Sequence, residues 1–380
     1  MPSRTTPQAV SLLPPPTRGS GVVGRATLPG TRRYRDRFAG AVAADFYRSL
    51  HRDGGAPLAS SLGGGTYLGD CDDAEDARYE AAVWQLAMSG VNLLDTAINY
   101  RCQRSERAVG RALRGLVDDG VVARDEVVVC TKGGYVPLDG TAPGTREAYR
   151  AYLDREFFGP GVMAPEDVVA GGHCLTPAFL LHQIETSRRN LGVATIDVYY
   201  VHNPEQQLDV ISNGRLLQTL RAAFAALEEA AERGDIGAYG CATWNGLRVP
   251  PGTRGHLELE ELVGAARDVA GDRHRFRVVQ APVNLAMTEA LRAPTQSLRG
   301  RAVPLLEAAS ELGVSVVASA SLMQSRLADN LPPEVRAAFP SQTTDAQRAI
   351  AFVRGLPVTS ALVGMKSEAH VVENLGGCRG

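Results

Sequence analysis

The sequence predicts an α/β protein: a (β/α)8 TIM barrel with an N-terminal extension and a long insert after the third strand. Short apolar or β-branched runs alternate with longer helical patterns. Eight such pairs follow one another along the chain, each strand before its helix. The length of 380 residues suits one barrel with insertions as well as it suits two or three average domains.

The elements follow in order. Residues 1 to about 30 are rich in Pro, Ser, Thr and Gly and include Pro14-Pro15-Pro16, a composition that reads as a flexible leader of unreadable purpose. Between Tyr34 and His51 an amphipathic pattern with Phe38, Phe46, Tyr47 and Leu50 predicts a helix, which Gly54-Gly55 ends. Residues 1–55 are therefore assigned to a partly flexible leader and extension, and residues 56–380 to the barrel. Its strands are expected at Leu58–Leu62, Val91–Asp95, Val127–Thr131, Ile196–Val201, Ile236–Cys241, Val278–Ala281, Val314–Ala318 and Ser360–Val363. The helices between and after them are expected at Ala74–Ser89, Arg104–Leu116, Pro177–Leu191, Arg215–Arg233, Leu257–Ala270, Ala302–Leu312, Asp345–Arg354 and Ala369–Leu375. An open doubly wound sheet would need a strand-order reversal that sequence cannot show, and eight units in a row fit a closed barrel better. Two irregular stretches, the insert 133–175 and the loop Ser319–Thr344, both follow strands and would overhang the mouth of the barrel.

Composition narrows the partner. A hydrophobic fraction of 44% with 22% charged residues excludes disorder and collagen, and no 18-residue apolar run is present to span a membrane. A net charge of -2 offers no general attraction to nucleic acid or anionic lipid, which leaves a small molecule as the expected partner. The six cysteines (Cys71, Cys102, Cys130, Cys174, Cys241, Cys378) form no C-x-x-C pair, so neither a zinc site nor a disulfide scaffold is expected and a reducing cytoplasm fits. Arg32-Arg33 lacks the apolar stretch of an export signal after it. Only two of the 40 basic residues are lysines, Lys132 and Lys366, so a lysine that remains is a candidate for a place needing a compact ammonium.

In a barrel the chemistry belongs at the C-terminal ends of the strands. The second strand ends in Asp95-Thr96-Ala97-Ile98-Asn99-Tyr100, the third in Thr131-Lys132 and the fourth in Tyr200-Val201-His202-Asn203-Pro204. Alone, each residue has an ordinary reading: helix cap, packing tyrosine, core histidine. Together they form a proton-transfer set. A lysine charge near a phenol stabilises phenolate and should depress the tyrosine pKa; Asp95 would hold Lys132 protonated, and His202 would orient a substrate oxygen.

These motifs resemble the aldo-keto reductases, over roughly Pro57 to Leu375. Asp95-Thr96-Ala97 with Tyr100, running into Ser105-Glu106 and Gly110, is similar to the family's D-T-A-x-x-Y and S-E-x-x-x-G segments. Lys132, His202 in a Y-x-H-x-P setting, Gln280 to Asn284 in Q-x-x-x-N, and the segment Gly364 to Asn374 follow in the family's order. The resemblance implies an NAD(P)H-dependent barrel enzyme that reduces an aldehyde or ketone by hydride transfer, with a tetrad of Tyr100, Lys132, Asp95 and His202 and with Tyr100 as general acid. It also implies that Lys366 and Ser367 receive a 2′-phosphate, favouring NADP over NAD, while Glu373 and Asn374 meet the adenine. His370 stands where the family often has Arg or Gln. Gly65, Thr66 and Tyr67 would lie near the nicotinamide ribose, Asp95 would also contact the cofactor, and Gln280 would hold the carboxamide.

Several positions depart from the family pattern. Ala242-Thr243-Trp244 replaces the usual Ser-Asn, so that Thr243 keeps one donor and acceptor. Ser319 replaces the tyrosine that commonly stacks on the nicotinamide, and Ser325 replaces a glycine after Ser321-Leu322; Ser321, Leu322 and Gln324 remain candidates to line the pyrophosphate. The insert and the Trp244 segment would close the pocket, with Tyr67, Tyr135, Asn203 and Trp244 lining the substrate. Arg101 and Arg104 are read as solvated surface charges in preference to substrate contacts. Two other functions stay open: a regulatory or redox-sensing subunit that binds NADPH with little turnover, and a hydrolase or lyase using a metal, for which no ligand spacing is found.

Overall fold

In the computed structural model, which describes residues 21–379, eight parallel strands close into a barrel with helices outside it. The barrel strands are β1 (Leu62–Gly65), β2 (Leu93–Asp95), β3 (Val128–Gly133), β4 (Ile196–His202), β5 (Ile236–Ala242), β6 (Phe276–Pro282), β7 (Ser315–Ser319) and β8 (Ser360–Gly364). Each pairs with the next, and β8 closes on β1 with Gly364 opposite Gly65. The outer helices are α1 (Asp73–Met88), α2 (Arg104–Asp118), α3 (Pro177–Leu191), α4 (Asn213–Glu232), α5 (Leu259–Ala270), α6 (Leu305–Leu312), α7 (Asp345–Arg354) and α8 (Glu368–Gly376). Side chains such as Leu93, Val128, Val198, Val278, Val317 and Leu362 form a packed cluster from the strands, while a larger layer including Leu113, Leu180, Leu227, Leu262 and Leu306 seals helices to strands. The expected (β/α)8 fold is present.

The first strand is displaced from its expected position. Leu58–Ser60 pairs antiparallel with Tyr47–Ser49, and the barrel strand is the glycine run that follows. That run carries almost no apolar signal because its neighbours fill the space. A Cβ at Gly63 would stand 2.7 Å from Leu93 Cδ2 and 2.8 Å from Leu362 Cδ2.

The helix expected between Tyr34 and His51 lies instead at Leu28–Arg37. Thr27 caps it by accepting from the Gly30 amide at 3.0 Å, and Pro29 sits in its first turn, two start signals that the leader composition obscured. Residues 21–30, read as the end of the leader, are thus held to the barrel; residues 1–20 of that leader lie outside the described residues. Before α6 the chain forms a small hairpin, Gln296–Leu298 with Arg301–Val303, and α6 starts only after Pro304. The loop Ser319–Thr344 contains a short helix, Pro333–Ala338. The insert 133–175 contains a helix, Arg146–Leu153, continued by a wider π turn through Phe158, and packs around Tyr152, Phe157 and Met163.

The N-terminal segment is anchored through one buried carboxylate. Asp197 accepts from the Ala26 amide at 2.6 Å, the Val129 amide at 2.8 Å and Arg124 Nη2 at 2.8 Å. Both side chains of the ion pair are 3% exposed. Asp197→Ala leaves a buried guanidinium without its counter-charge, and chemical denaturation should show a loss of about 3–5 kcal/mol; an Ala variant of the exposed Asp268 should lose less than about 0.5 kcal/mol.

Candidate active site

Strand register places the ionisable residues on one rim. Asp95 lies opposite Gly65 and Cys130, Lys132 opposite Tyr200, and His202 opposite Ala242, which in turn faces Gln280. These strand ends and the loops beyond them enclose a cavity of about 430 Å³. Asp95, Tyr100 and His202 line it, with Lys132 beneath at 1% exposure.

The Lys132 ammonium donates to Asp95 Oδ1 and, at 2.7 Å, to the Thr96 carbonyl. It stands 4.9 Å from the centroid of the Tyr100 ring. The other Asp95 oxygen accepts from Gln280 Nε2 at 2.9 Å. Burial works against the Lys132 charge, but Asp95 and Tyr100 together outweigh it and hold the ammonium above the ordinary lysine value. Burial in turn lifts Asp95 above the ordinary carboxylate value, against the pull of Lys132. The phenol corrects the sequence reading: burial raises Tyr100 above its ordinary value, and the opposing effect of Lys132 is smaller.

His202 is driven well below the ordinary imidazole value, first by burial and then by Lys132 and His173, so the ring is neutral. Its Nδ1 is buried with no hydrogen-bond partner among the described residues. Tyr135 packs edge-on to it with centroids 5.0 Å apart and accepts a hydrogen bond from Asn203 Nδ2 at 3.0 Å. Tyr67 and Trp244 stand at the rim, 58% and 43% exposed.

The Ser-Glu-x-x-x-Gly motif shapes the site without entering it. Ser105 Oγ donates to the Thr66 carbonyl at 2.8 Å, fixing the β1 loop. The buried Glu106 accepts from Thr131 Oγ1 at 2.6 Å and Asn190 Nδ2 at 2.8 Å, which turns the next residue, Lys132, inward. A Cβ at Gly110 would lie 2.5 Å from the Asn190 carbonyl, so glycine sets the contact between α2 and α3. Arg101 is not a solvated charge: its guanidinium is buried on Asp76 at 2.6 Å and on the Asp70 carbonyl at 2.8 Å. Arg104 pairs with Asp73 and Asp76.

At the far side of the cavity, Ser321, Leu322, Gln324 and Gly364 line the wall. Ala320, Met323, Gln324 and Ser325 all have left-handed backbone, with φ of 54°, 48°, 53° and 69°. The position where the family carries glycine is one of these, and here a serine adopts it against the usual steric penalty. Thr243 lines the same cavity, but its amide donates to the Gln280 carbonyl at 2.8 Å. Lys366 lies outside the cavity lining and is paired with Glu75. Ser367 caps α8 by accepting from the His370 amide at 3.3 Å. His370 is exposed, Glu373 half-buried and Asn374 buried. Gln280, expected to hold a carboxamide, lines the cavity and donates from Nε2 to Asp95.

Two supporting residues carry no sequence signal. Glu205 Oε1 accepts from the amides of Trp244, Asn245 and Gly246 at 2.8, 3.0 and 3.2 Å, pinning the loop that carries Trp244. His173, fully buried in the insert, bonds the His202 carbonyl at 2.8 Å and Gln207 at 2.7 Å.

A family model for the aldo/keto reductase family matches residues 61–249, the half of the chain that holds the Asp95, Tyr100, Lys132 and His202 cluster. The chain belongs to this family. Among aldo/keto reductase relatives, the chain is 32% identical over 161 residues to aldo-keto reductase AMT2 of Alternaria alternata, a match covering 41% of each protein. It is 28% identical over 240 residues to a D-threo-aldose 1-dehydrogenase of a Pseudomonas species, covering 60% of this chain and 58% of the relative. Neither match reaches two thirds of its curated relative. An aldo/keto reductase structure from Klebsiella pneumoniae, solved with NADP and acetate, superposes with a TM-score of 0.55 over 85% of this chain and 87% of its own, at 21% identity.

Burial holds His173 down at about pKa 4. The unfolded imidazole takes up a proton below about 6.5 and the native one does not until about 4, so stability falls with falling pH across that window, by about 1.4 kcal/mol per pH unit. Above about 6.5 both states are neutral and the residue adds no slope. Urea unfolding at about pH 7 and about pH 4.5 should therefore show His173→Gln losing about 2–3 kcal/mol less than the wild type across the interval.

Proposed function

We propose that this protein is an NADPH-dependent carbonyl reductase that converts an aldehyde or ketone to an alcohol. The observation that carries the reading is the buried Lys132 ammonium, held by Asp95 and stationed 4.9 Å from the ring of Tyr100 at the base of a ligand-sized cavity. The names of the relatives support it: one is a reductase, another a dehydrogenase acting on an aldose, and the Klebsiella structure holds NADP.

The left-handed turn from Met323 to Ser325 supports a pyrophosphate contact, since a run of such residues turns backbone amides toward an anion. The fit at the 2′-phosphate is looser. Lys366 is paired with Glu75 yet 35% exposed, so its ammonium is within reach of a phosphate at the start of α8. The Ser367 oxygen accepts from His370, which leaves its own proton free to donate.

When bound, NADPH supplies the hydride. Tyr100 is protonated throughout the neutral range because burial raises its pKa, and it gives that proton to the carbonyl oxygen. The phenolate left behind faces Lys132, whose charge stabilises it, while Asp95 keeps the lysine charged and Gln280 fixes the carboxylate. His202 stays neutral and orients the oxygen without adding a cation that would compete with Lys132. Tyr67, Tyr135, Asn203 and Trp244 receive the organic part of the substrate. Six unbridged cysteines suit the cytoplasm.

A second reading, an NADPH-binding regulatory subunit, draws support from the engagement of Gln280 Nε2 with Asp95, which takes up one donor of the side chain expected to meet the carboxamide. Turnover separates the two. NADPH consumption with a panel of small aldehydes should be measurable and should fall by about 10²–10⁴-fold in Tyr100→Phe with cofactor affinity retained; fluorescence titration reports that affinity. Tight NADPH binding with no turnover on any aldehyde overturns the reductase reading in favour of the regulatory one. In the same titration Lys366→Gln should weaken NADPH by about tenfold and leave NADH unchanged.

A further inference from the structure

The opposite end of the barrel holds a second cavity, of about 490 Å³, between the N-terminal segment, the hairpin of Tyr47–Ser49 and Leu58–Ser60, and the beginnings of β4, β5 and β6. Asp197 at its floor and His202 at the mouth are the two ends of β4, about 16 Å apart at strand spacing.

Its lining is cationic. Arg25, Arg273, Arg275, Arg277 and His51 face Asp53 and Asp197. Arg273, Arg275 and Arg277 alternate on the approach to β6, and the Arg25 guanidinium lies over Gly237, with Nη1 3.6 Å from where a Cβ would stand. The two carboxylates do not balance this charge. Asp197 is taken up by Arg124 and two backbone amides. Asp53 pairs with Arg277, and Arg275 pairs at 2.7 Å with Glu228. Among the described residues, Arg25 and Arg273 have no carboxylate partner.

His51 adds a second, independent observation. Its Nδ1 is buried without a hydrogen-bond partner, and the nearest carboxylate oxygen, on Asp53, is 3.6 Å away. A buried ring nitrogen left unpaired in a cationic cavity marks a place for an acceptor.

We propose that this cavity binds a small di- or trivalent oxyanion, phosphate- or carboxylate-bearing, through Arg25, Arg273 and His51. Guanidinium forks match both oxyanion classes in two-point geometry. The groups facing His51 set its pH response. Burial first, then Arg277 and Arg25, hold the imidazole below its ordinary value, against Asp53. A bound anion favours the protonated ring, so binding takes up a proton and strengthens as pH falls. The site is independent of the reductase reading, since none of its residues lines the Tyr100 cavity.

Isothermal titration of the full chain at low salt, with pyrophosphate and citrate as separate probes, tests the proposal. A saturable component is expected that weakens at least about tenfold in the Arg25→Ser, Arg273→Ser double variant, whose exposed positions spare the fold. Wild-type affinity relative to His51→Asn should rise from about pH 8 to about pH 6, a ratio in which the protonation of the probe itself cancels. Lys366→Gln, at the other end of the barrel, should leave that component unchanged. Pyrophosphate alone identifies a phosphate ligand and citrate alone a carboxylate. No saturable binding of either probe, full binding by the double variant, the same pH response in wild type and His51→Asn, or loss of the Arg25- and Arg273-dependent component in Lys366→Gln overturns the assignment.

Discussion

The buried contact between the Lys132 ammonium and the Asp95 carboxylate is the constraint on which the rest of the site depends. Removing both charges from water is costly, and such a pair contributes little to stability compared with a well-packed apolar one. It persists here with every available partner engaged: Thr96 and Asp95 on the lysine, Gln280 on the second carboxylate oxygen. What the arrangement provides is a fixed positive charge beneath a phenol in a low-dielectric floor, where it acts on Tyr100 far more strongly than it would in water.

Much of the surrounding structure serves to aim that charge. Glu106, buried on the outside of β3, bonds Thr131 and so determines which face of the strand Lys132 takes. Ser105 ties the β1 loop to α2, and Gly110 lets α3 approach closely enough for Asn190 to reach Glu106. On the far side, His173 holds the backbone of His202 and Glu205 holds the loop of Trp244. Rigid elements thus present the polar groups, while exposed aromatics stand at the rim.

The barrel and the cluster at its mouth were legible in the sequence because alternation of strand and helix, a rare lysine and three consecutive strand ends point the same way. The first strand was not, since Gly63 sits where leucines from neighbouring strands fill the interior and Gly64 sits against Leu86 of α1, and a strand of glycines has no apolar pattern to read. The helix at Leu28–Arg37 was hidden by a leader-like composition, although Thr27 and Pro29 carried its start signals. Arg101 was misread because nothing in its local sequence announces that Asp76, one turn into a different helix, will bury it. Glu205 and His173 act through the backbone of distant loops, a kind of contact that leaves no spacing rule behind. The tyrosine pKa went the other way from the sequence argument because burial, invisible in the chain, outweighs the lysine that the chain displays.

With only two lysines in the chain, side-chain nitrogen resonances of a 15N-lysine-labelled sample report on Lys132 with little overlap, and a Lys132→Arg sample assigns the signal. The account predicts that the Lys132 amine remains an ammonium beyond the ordinary lysine value of 10.5 and that its titration moves downward in Asp95→Asn. A Lys132 amine that loses its proton below that value, or one indifferent to Asp95, would contradict the claim that a charge held beneath Tyr100 organises the site.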